Sequence, residues 1–341
     1  MVAGLLVSFV VGSAFLPVPY VAMRPGTARP VTQYVTVRGA TSYPPEESIA
    51  YMTVNIGQIS LLEAAVGWLD DDVDIRPEEV IRGGRSVEEN RRYNAQLMDA
   101  SKQVASTVAL RHLGYEVTIR TSGTIVRQIV EDAPAADVLE LDDVVVAVDG
   151  EPVDEPDEMG EALQVGGPGA THVLTVERPA GSTNRIELEI ETVPAPDDSG
   201  RAVIGVVPEE RIVEFDLPIE VLIDSGEVGG PSAGLAFTLA LLDVLTEGEL
   251  TGGHRVAATG TIALDGTVGP VGGPAQKAVT VRDAGYEVFL VPSAEVEDVS
   301  AAVGDDLEVI GVDTLAEALD ALGSLGGNAG SIRAQTVGGS P

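Results

Sequence analysis

Residues 221–245 read VLIDSGEVGGPSAGLAFTLALLDVL. The order of residue types there sets out a strand, a glycine turn and a buried helix. Val221, Leu222 and Ile223 make a short apolar run, and a turn holding Gly226, Gly229 and Gly230 follows. Pro231 suits the opening of a helix, because its missing N–H would have no intrahelical partner there. From Ser232 to Leu245 almost every side chain is apolar, so the expected helix belongs in the interior. Ser232 then stands where a buried helix begins, among backbone N–H groups that stabilise developing negative charge. Gly229, Gly230 and Gly234 leave room for another backbone to come close. Taken alone, the stretch also fits an ordinary tight turn with a serine near a helix start.

Residues 271–277, VGGPAQK, repeat the device: a glycine turn leads into a proline-started helix that should end at Gly285. Lys277 falls on its first turn. Of the 20 basic Lys and Arg side chains only Lys102 and Lys277 are lysines. A chain that uses arginine for nearly every cation has kept an amine here. Guanidinium does not give up its proton in a protein, whereas a desolvated amine does and can then act as a base. A plain surface lysine is the competing reading.

Together, GPSAG at 230–234, ATGTI at 258–262 and VGGPAQK at 271–277 resemble the proteolytic domain of Lon-type peptidases, over residues 217–322. The resemblance implies a Ser–Lys dyad, with Ser232 the nucleophile, Lys277 the general base and Thr259 the threonine that hydrogen-bonds the lysine amine. Backbone groups of Gly230, Pro231 and Ser232 are the expected oxyanion donors. Two positions depart from the family pattern. Val228-Gly229 stands where many Lon proteins have an acidic residue before GPSAG, and Thr261 where an acidic residue follows the Thr-Gly pair. Lon-type catalytic domains generally form rings, so the resemblance also implies a homo-oligomer, a hexamer being its expected form.

At 341 residues the chain is long enough for two domains and an accessory segment. A formal charge of −34 argues against nucleic acid and anionic membrane surfaces as partners. The absence of cysteine excludes disulfides and thiol catalysis, and three scattered histidines offer no zinc site, so neither metal nor cofactor is expected. GxxxxGK[ST] occurs nowhere, so nucleotide is not expected as a partner either. Residues 1–23 carry no charged side chain and are long enough to span a bilayer, which gives the expectation of a single transmembrane anchor.

Residues 24–45 read as a linker, 48–59 as a strand, and 70–72 as a solvated acidic turn. Ser86-Val87-Glu88-Glu89 is a capping box for a helix to His112, which bears Lys102 as a solvated side chain. Residues 24–112 are expected to pack with the catalytic part. Over 113–194 short strands recur, and their pattern is similar to PDZ domains. That resemblance implies a groove beside residues 124–127, formed by Ser122, Gly123, Thr124, Ile125 and Val126, which takes an extended peptide by strand addition. Residues 195–200 read as an exit linker, 201–322 as the catalytic domain, and 323–341 as a disordered tail.

The expected fold is mixed α+β: a transmembrane helix, a β-rich partly open PDZ barrel and a Lon-type α/β domain. The combination resembles the membrane-anchored PDZ-containing Lon-like peptidases of bacteria. It implies an ATP-independent serine endopeptidase on the cytoplasmic membrane, its catalytic part extracytoplasmic, that cleaves flexible or misfolded envelope and secreted polypeptides. The alternative is a non-catalytic PDZ scaffold with a degenerate peptidase fold.

Overall fold

The computed structural model describes residues 12–46, 49–70, 72–178, 184–197, 199–330 and 332. They divide into two compact units. One combines the chain up to Val117 with everything from Leu217 onward, and the other is Thr118–Asp216. In chain order the first unit opens with β1 (Pro17–Pro30), β2 (Val35–Arg38), β3 (Ala50–Ser60), β4 (Asp74–Pro77) and the long helix α1 (Val87–His112). The second holds β5 (Thr118–Ile129), β6 (Val144–Val148), α2 (Pro156–Leu163), β7 (Thr171–Glu177), β8 (Arg185–Glu191) and β9 (Val206–Asp216). The first then resumes with β10 (Glu220–Ile223), α3 (Gly234–Leu245), β11 (Val256–Ala258), α4 (Pro274–Asp283) and β12 (Val288–Pro292). It ends with α5 (Val296–Val303), β13 (Glu308–Val312) and α6 (Leu315–Ser324).

The larger unit is built on a sheet of order β13-β12-β11-β3-β1-β4. β11, β12 and β13 run parallel, β3 joins β11 in parallel at Ala50 and Ala257, and β1 pairs antiparallel with β3 and β4. The period of two along a strand sends neighbouring side chains to opposite faces. Ile49, Tyr51, Val256, Ala258, Val288 and Leu290 pack on one face with α3. Ala50, Met52, Ala257, Phe289 and Val291 pack on the other with Ala278 and Val281 of α4 and Val299 and Val303 of α5. Both faces are therefore covered, giving a helix–sheet–helix arrangement. Every α3 residue from Gly234 to Val244 is buried, as a helix without a polar face requires. The capping box at Ser86 is closed in both directions with Glu89.

The expected anchor is overturned. Among the described residues no helix is long and apolar enough to cross a membrane. Residues 17–23 instead enter β1, where Val21, Ala22 and Met23 are buried between β3 and β4. An interior strand and a membrane helix share a charge-free composition, and Pro17 and Pro19 are poor residues for a helix interior. With the anchor goes the placement on the cytoplasmic membrane as a single-pass protein. Residues 1–11 lie outside the described residues. The expected linker over 24–45 is also structured, as the second half of β1, a turn and β2. Gly26 is required there: a Cβ would come 2.3 Å from the Thr53 carbonyl oxygen on β3.

At the other end, Ala329 and Ile332 are buried in the core beside α6, so the expected disordered tail begins too early at residue 323. Residues 331 and 333–341 lie outside the described residues.

The smaller unit is an antiparallel sheet of order β9-β5-β6-β7-β8 around Val126, Leu139, Val145, Leu174, Val176 and Ile204. β9 pairs with β5 from Val206–Ile129 to Asp216–Thr118. Arg211 of β9 is bound to the Glu177 carboxylate and to Ser122. Residues 201–216, expected to start the catalytic domain, thus complete the smaller unit.

Candidate active site

The serine and the lysine approach each other from opposite faces of the sheet, at the carboxyl end of β11. Thr259 directly follows that strand, and its N–H donates to the Leu290 carbonyl (2.9 Å). Its hydroxyl donates to the Ser232 carbonyl (3.1 Å), which also accepts from the Gly260 N–H (2.9 Å). From the other side α1 grips the same turn: the Gly230 N–H donates to the Asn94 carbonyl (2.8 Å) and the Ser101 hydroxyl to the Pro231 carbonyl (3.0 Å). Gly229 and Gly234 permit this closeness. A Cβ on Gly229 would come 2.9 Å from the Asn94 Cβ, and one on Gly234 would come 3.0 Å from the Ile262 nitrogen. The helix itself begins at Gly234, so Ser232 sits in the turn before it rather than in its first turn.

On α4, Lys277 is only 2% exposed. Its Nζ lies 2.8 Å from Ser232 Oγ and 3.1 Å from Thr259 Oγ1. The Thr259 hydroxyl has committed its proton to the Ser232 carbonyl, so toward the amine it can only accept. One amine N–H is thereby fixed on Thr259, and the same nitrogen is within hydrogen-bond distance of the serine hydroxyl. Burial pushes the Lys277 amine down to about 7, while the carboxylate of Glu295 acts in the opposite direction. Glu227, the carboxylate nearest the serine in sequence, is turned outward to Arg91 (2.9 Å).

Of the expected oxyanion donors, the Gly230 N–H is held by Asn94 and Pro231 has none. The Ser232 amide is what the set retains. Lys102, expected to be solvated, pairs with Asp99 (3.2 Å) on its own helix.

The residues expected to form a peptide groove on β5 are paired on both sides. Thr124 and Ile125 pair with Val145 and Val144 of β6 on one side and with Glu210 and Glu209 of β9 on the other. Thr124 and Val126 are fully buried, and a Cβ on Gly123 would meet the Val145 carbonyl at 2.9 Å. Ser122 is engaged by Arg211. None of these residues offers an open edge; the outer strand on this side is β9. A cavity of about 620 Å³ lies between α2 and β9, lined by Met159, Gly160, Leu163, Ile204, Val206 and Pro208. The sequence carried no local sign of this, because β9 lies some eighty residues beyond its partner β5. Asn94, Ser101 and Glu295 were missed for the same reason: each reaches the site from a distant element.

The comparisons with known proteins agree with both units. Residues 211–323 match the family model of the Lon protease (S16) C-terminal proteolytic domain, and residues 112–192 that of the PDZ domain. A Lon protease of Campylobacter concisus is 33% identical over 109 residues, 31% of this chain and 13% of that protein. Lon protease 1 of Sorangium cellulosum is 34% identical over 134 residues, 36% of this chain and 16% of the relative. The chain thus spans about a sixth or less of the length of these curated relatives. Among solved structures, the PDZ domain of an SdrC-like protein from Listeria monocytogenes is 24% identical, covering 27% of this chain and 92% of its own, with a TM-score of 0.24. The two matches give a mixed α+β chain with a PDZ domain and a Lon-type proteolytic domain, and homology of the latter supports a peptidase.

Proposed function

We propose that this chain is a serine endopeptidase with a Ser232–Lys277 dyad, acting without nucleotide on extended, loosely folded polypeptide segments. The observation that carries the reading is the 2.8 Å contact between Ser232 Oγ and Lys277 Nζ, a lysine only 2% exposed. Neutral Lys277 takes the proton from the Ser232 hydroxyl as Oγ attacks the scissile carbonyl carbon. The Ser232 amide stabilises the resulting oxyanion. The Lys277 ammonium then gives its proton to the departing amine nitrogen, leaving an acyl ester on Ser232. A water, deprotonated by Lys277, hydrolyses that ester and regenerates the hydroxyl. Each of these steps uses groups of this chain alone, which supports independence from nucleotide. The scaffold reading is disfavoured, because a degenerate site has no need to keep a buried lysine on a serine hydroxyl.

Labelled casein, an unstructured protein, is the direct probe. We expect hydrolysis that is unchanged by ATP and lost in Ser232→Ala, with an acylating serine probe forming its adduct on Ser232 alone. Hydrolysis that survives Ser232→Ala in purified protein would refute the assignment.

In the smaller unit, the same proposal assigns peptide capture to the outer edge of β9, which pairs with no further strand among the described residues and faces α2 across the cavity. Gly160 lines that cavity and has open space beside it. Gly160→Tyr should therefore fill the groove without a clash and should also favour the helix. We expect weaker capture and slower cleavage of casein, with hydrolysis of a very short peptide unchanged. Equal rates on casein in variant and wild type would remove the groove from the function.

A further inference from the structure

Glu295 is a buried carboxylate that the dyad mechanism above does not use. It ends the short turn Ser293–Glu295 between β12 and α5 and is 9% exposed. Its Oε1 accepts a hydrogen bond from the Val271 N–H (2.7 Å), and its buried Oε2 has no partner among the described residues. Val271 opens the turn through Gly272 and Gly273 into Pro274, the first residue of α4. Glu295 therefore holds the segment from which the lysine helix starts.

It is also the charge that acts on the Lys277 amine. α4 packs against β1, β3 and α5. On β1, Arg24 acts on Glu63 and Arg29 on the Tyr51 phenol of β3. On α5, Glu297 is exposed and Asp298 acts on Glu295. Within α4, Arg282 pairs with Asp283 (2.9 Å).

We propose that Glu295 is the positioning residue of the base: it fixes the turn that launches α4 and stabilises the ammonium that Lys277 becomes when it takes the serine proton. The inference rests on the dyad reading. Burial alone weakens a lysine as a base, because a desolvated ammonium is costly. A carboxylate in the same low-dielectric region offsets part of that cost where the proton arrives. Its orphaned second oxygen fits this role, since no local donor neutralises the charge. Burial raises the Glu295 carboxyl above its usual range, and the Val271 N–H and the Lys277 charge both favour its ionised form.

The chain's two lysines make the test direct. Protein labelled with ¹³C at the lysine ε-carbon gives two resonances, and the one absent from Lys277→Met reports the base. In wild type it should titrate near 7. In Glu295→Gln, which keeps an acceptor for the Val271 N–H but loses the charge, the midpoint should fall by roughly half a pH unit or more. Casein turnover should fall about three- to tenfold through kcat, with KM unchanged. Glu295→Asp, which keeps the charge on a shorter arm, should restore part of the shift, and it serves as the reporter should the Gln variant not fold. A midpoint that stays put or rises in Glu295→Gln, or one that falls equally in Glu295→Asp, would overturn the role of Glu295 while leaving the dyad intact. A wild-type Lys277 signal that titrates near the ordinary lysine value of about 10.4 would instead remove the dyad reading, and this inference with it.

Discussion

Lys277→Arg should lose at least about a thousandfold in casein turnover while the fold persists. The substitution keeps a positive charge and removes the chemistry, because guanidinium does not deprotonate at any working pH. Lys277→Met, close to lysine in length and neutral, should be as inactive and controls for the difficulty of housing guanidinium in a pocket where the native side chain is 2% exposed. Thr259→Ala removes the hydroxyl that orients the amine but leaves both reacting groups. It should cost about ten- to a hundredfold, the order of the two hydrogen bonds lost, to the Lys277 amine and to the Ser232 carbonyl. Wild-type activity should rise with pH through about 7, as the buried amine becomes neutral. The measurement is casein hydrolysis across pH, with circular dichroism on each variant. A folded Lys277→Arg protein with near wild-type turnover would end the dyad assignment.

Asp243→Asn should stabilise the protein considerably more at pH 8 than at pH 5. Asp243 lies in the last turn of α3, fully buried. Its Oδ1 accepts from the Leu250 N–H (2.8 Å), and its Oδ2 has no partner among the described residues. Burial pushes its carboxyl up to about 7 from an ordinary 3.8. A raised carboxyl binds its proton more tightly in the folded state. Its stabilising contribution is therefore complete below about 4 and is lost progressively as pH rises from about 4 to about 7. Over that window the loss is of order 4 kcal/mol. Asparagine keeps the acceptor for Leu250 and has no charge to desolvate, so much of that loss should be recovered. Lys277 has the opposite sign and a separate window: its lowered pKa costs stability as pH falls from about 10.5 to about 7. Urea unfolding of wild type and Asp243→Asn at the two pH values checks the prediction. An equal difference at both would mean that ionisation of Asp243 is not the cause.

The local segments around the dyad were legible because each carries its own instructions. The apolar run 234–245 has no polar face and is buried, Gly272-Gly273-Pro274 ends a turn and starts α4, and Ser86 with Glu89 closes a cap within four residues. At Thr314 only half of a similar box forms. Thr314 accepts from the Glu317 N–H (3.2 Å), but the Glu317 carboxylate turns to the Asp313 N–H (2.7 Å) instead. Residues 1–23 misled because composition does not distinguish a bilayer from a protein interior. What distinguishes them here is a partner, and the partner of Val21 is Gln58 on β3.

By itself the sequence determined the helices that follow Ser86, Pro231 and Pro274 and the short strands of the smaller unit, and it singled out Ser232 and Lys277, since these depend on residue types a few positions apart. Tertiary structure decided what depends on long-range pairing. It folded residues 17–30 into the catalytic sheet and brought α1 onto the serine turn. It gave the outer edge of the smaller sheet to β9, and it set Glu295 as a charge acting on the Lys277 amine. Hydrogen-bonded registers and the desolvation of a charge exist only when distant segments meet, so no local stretch of sequence encodes them.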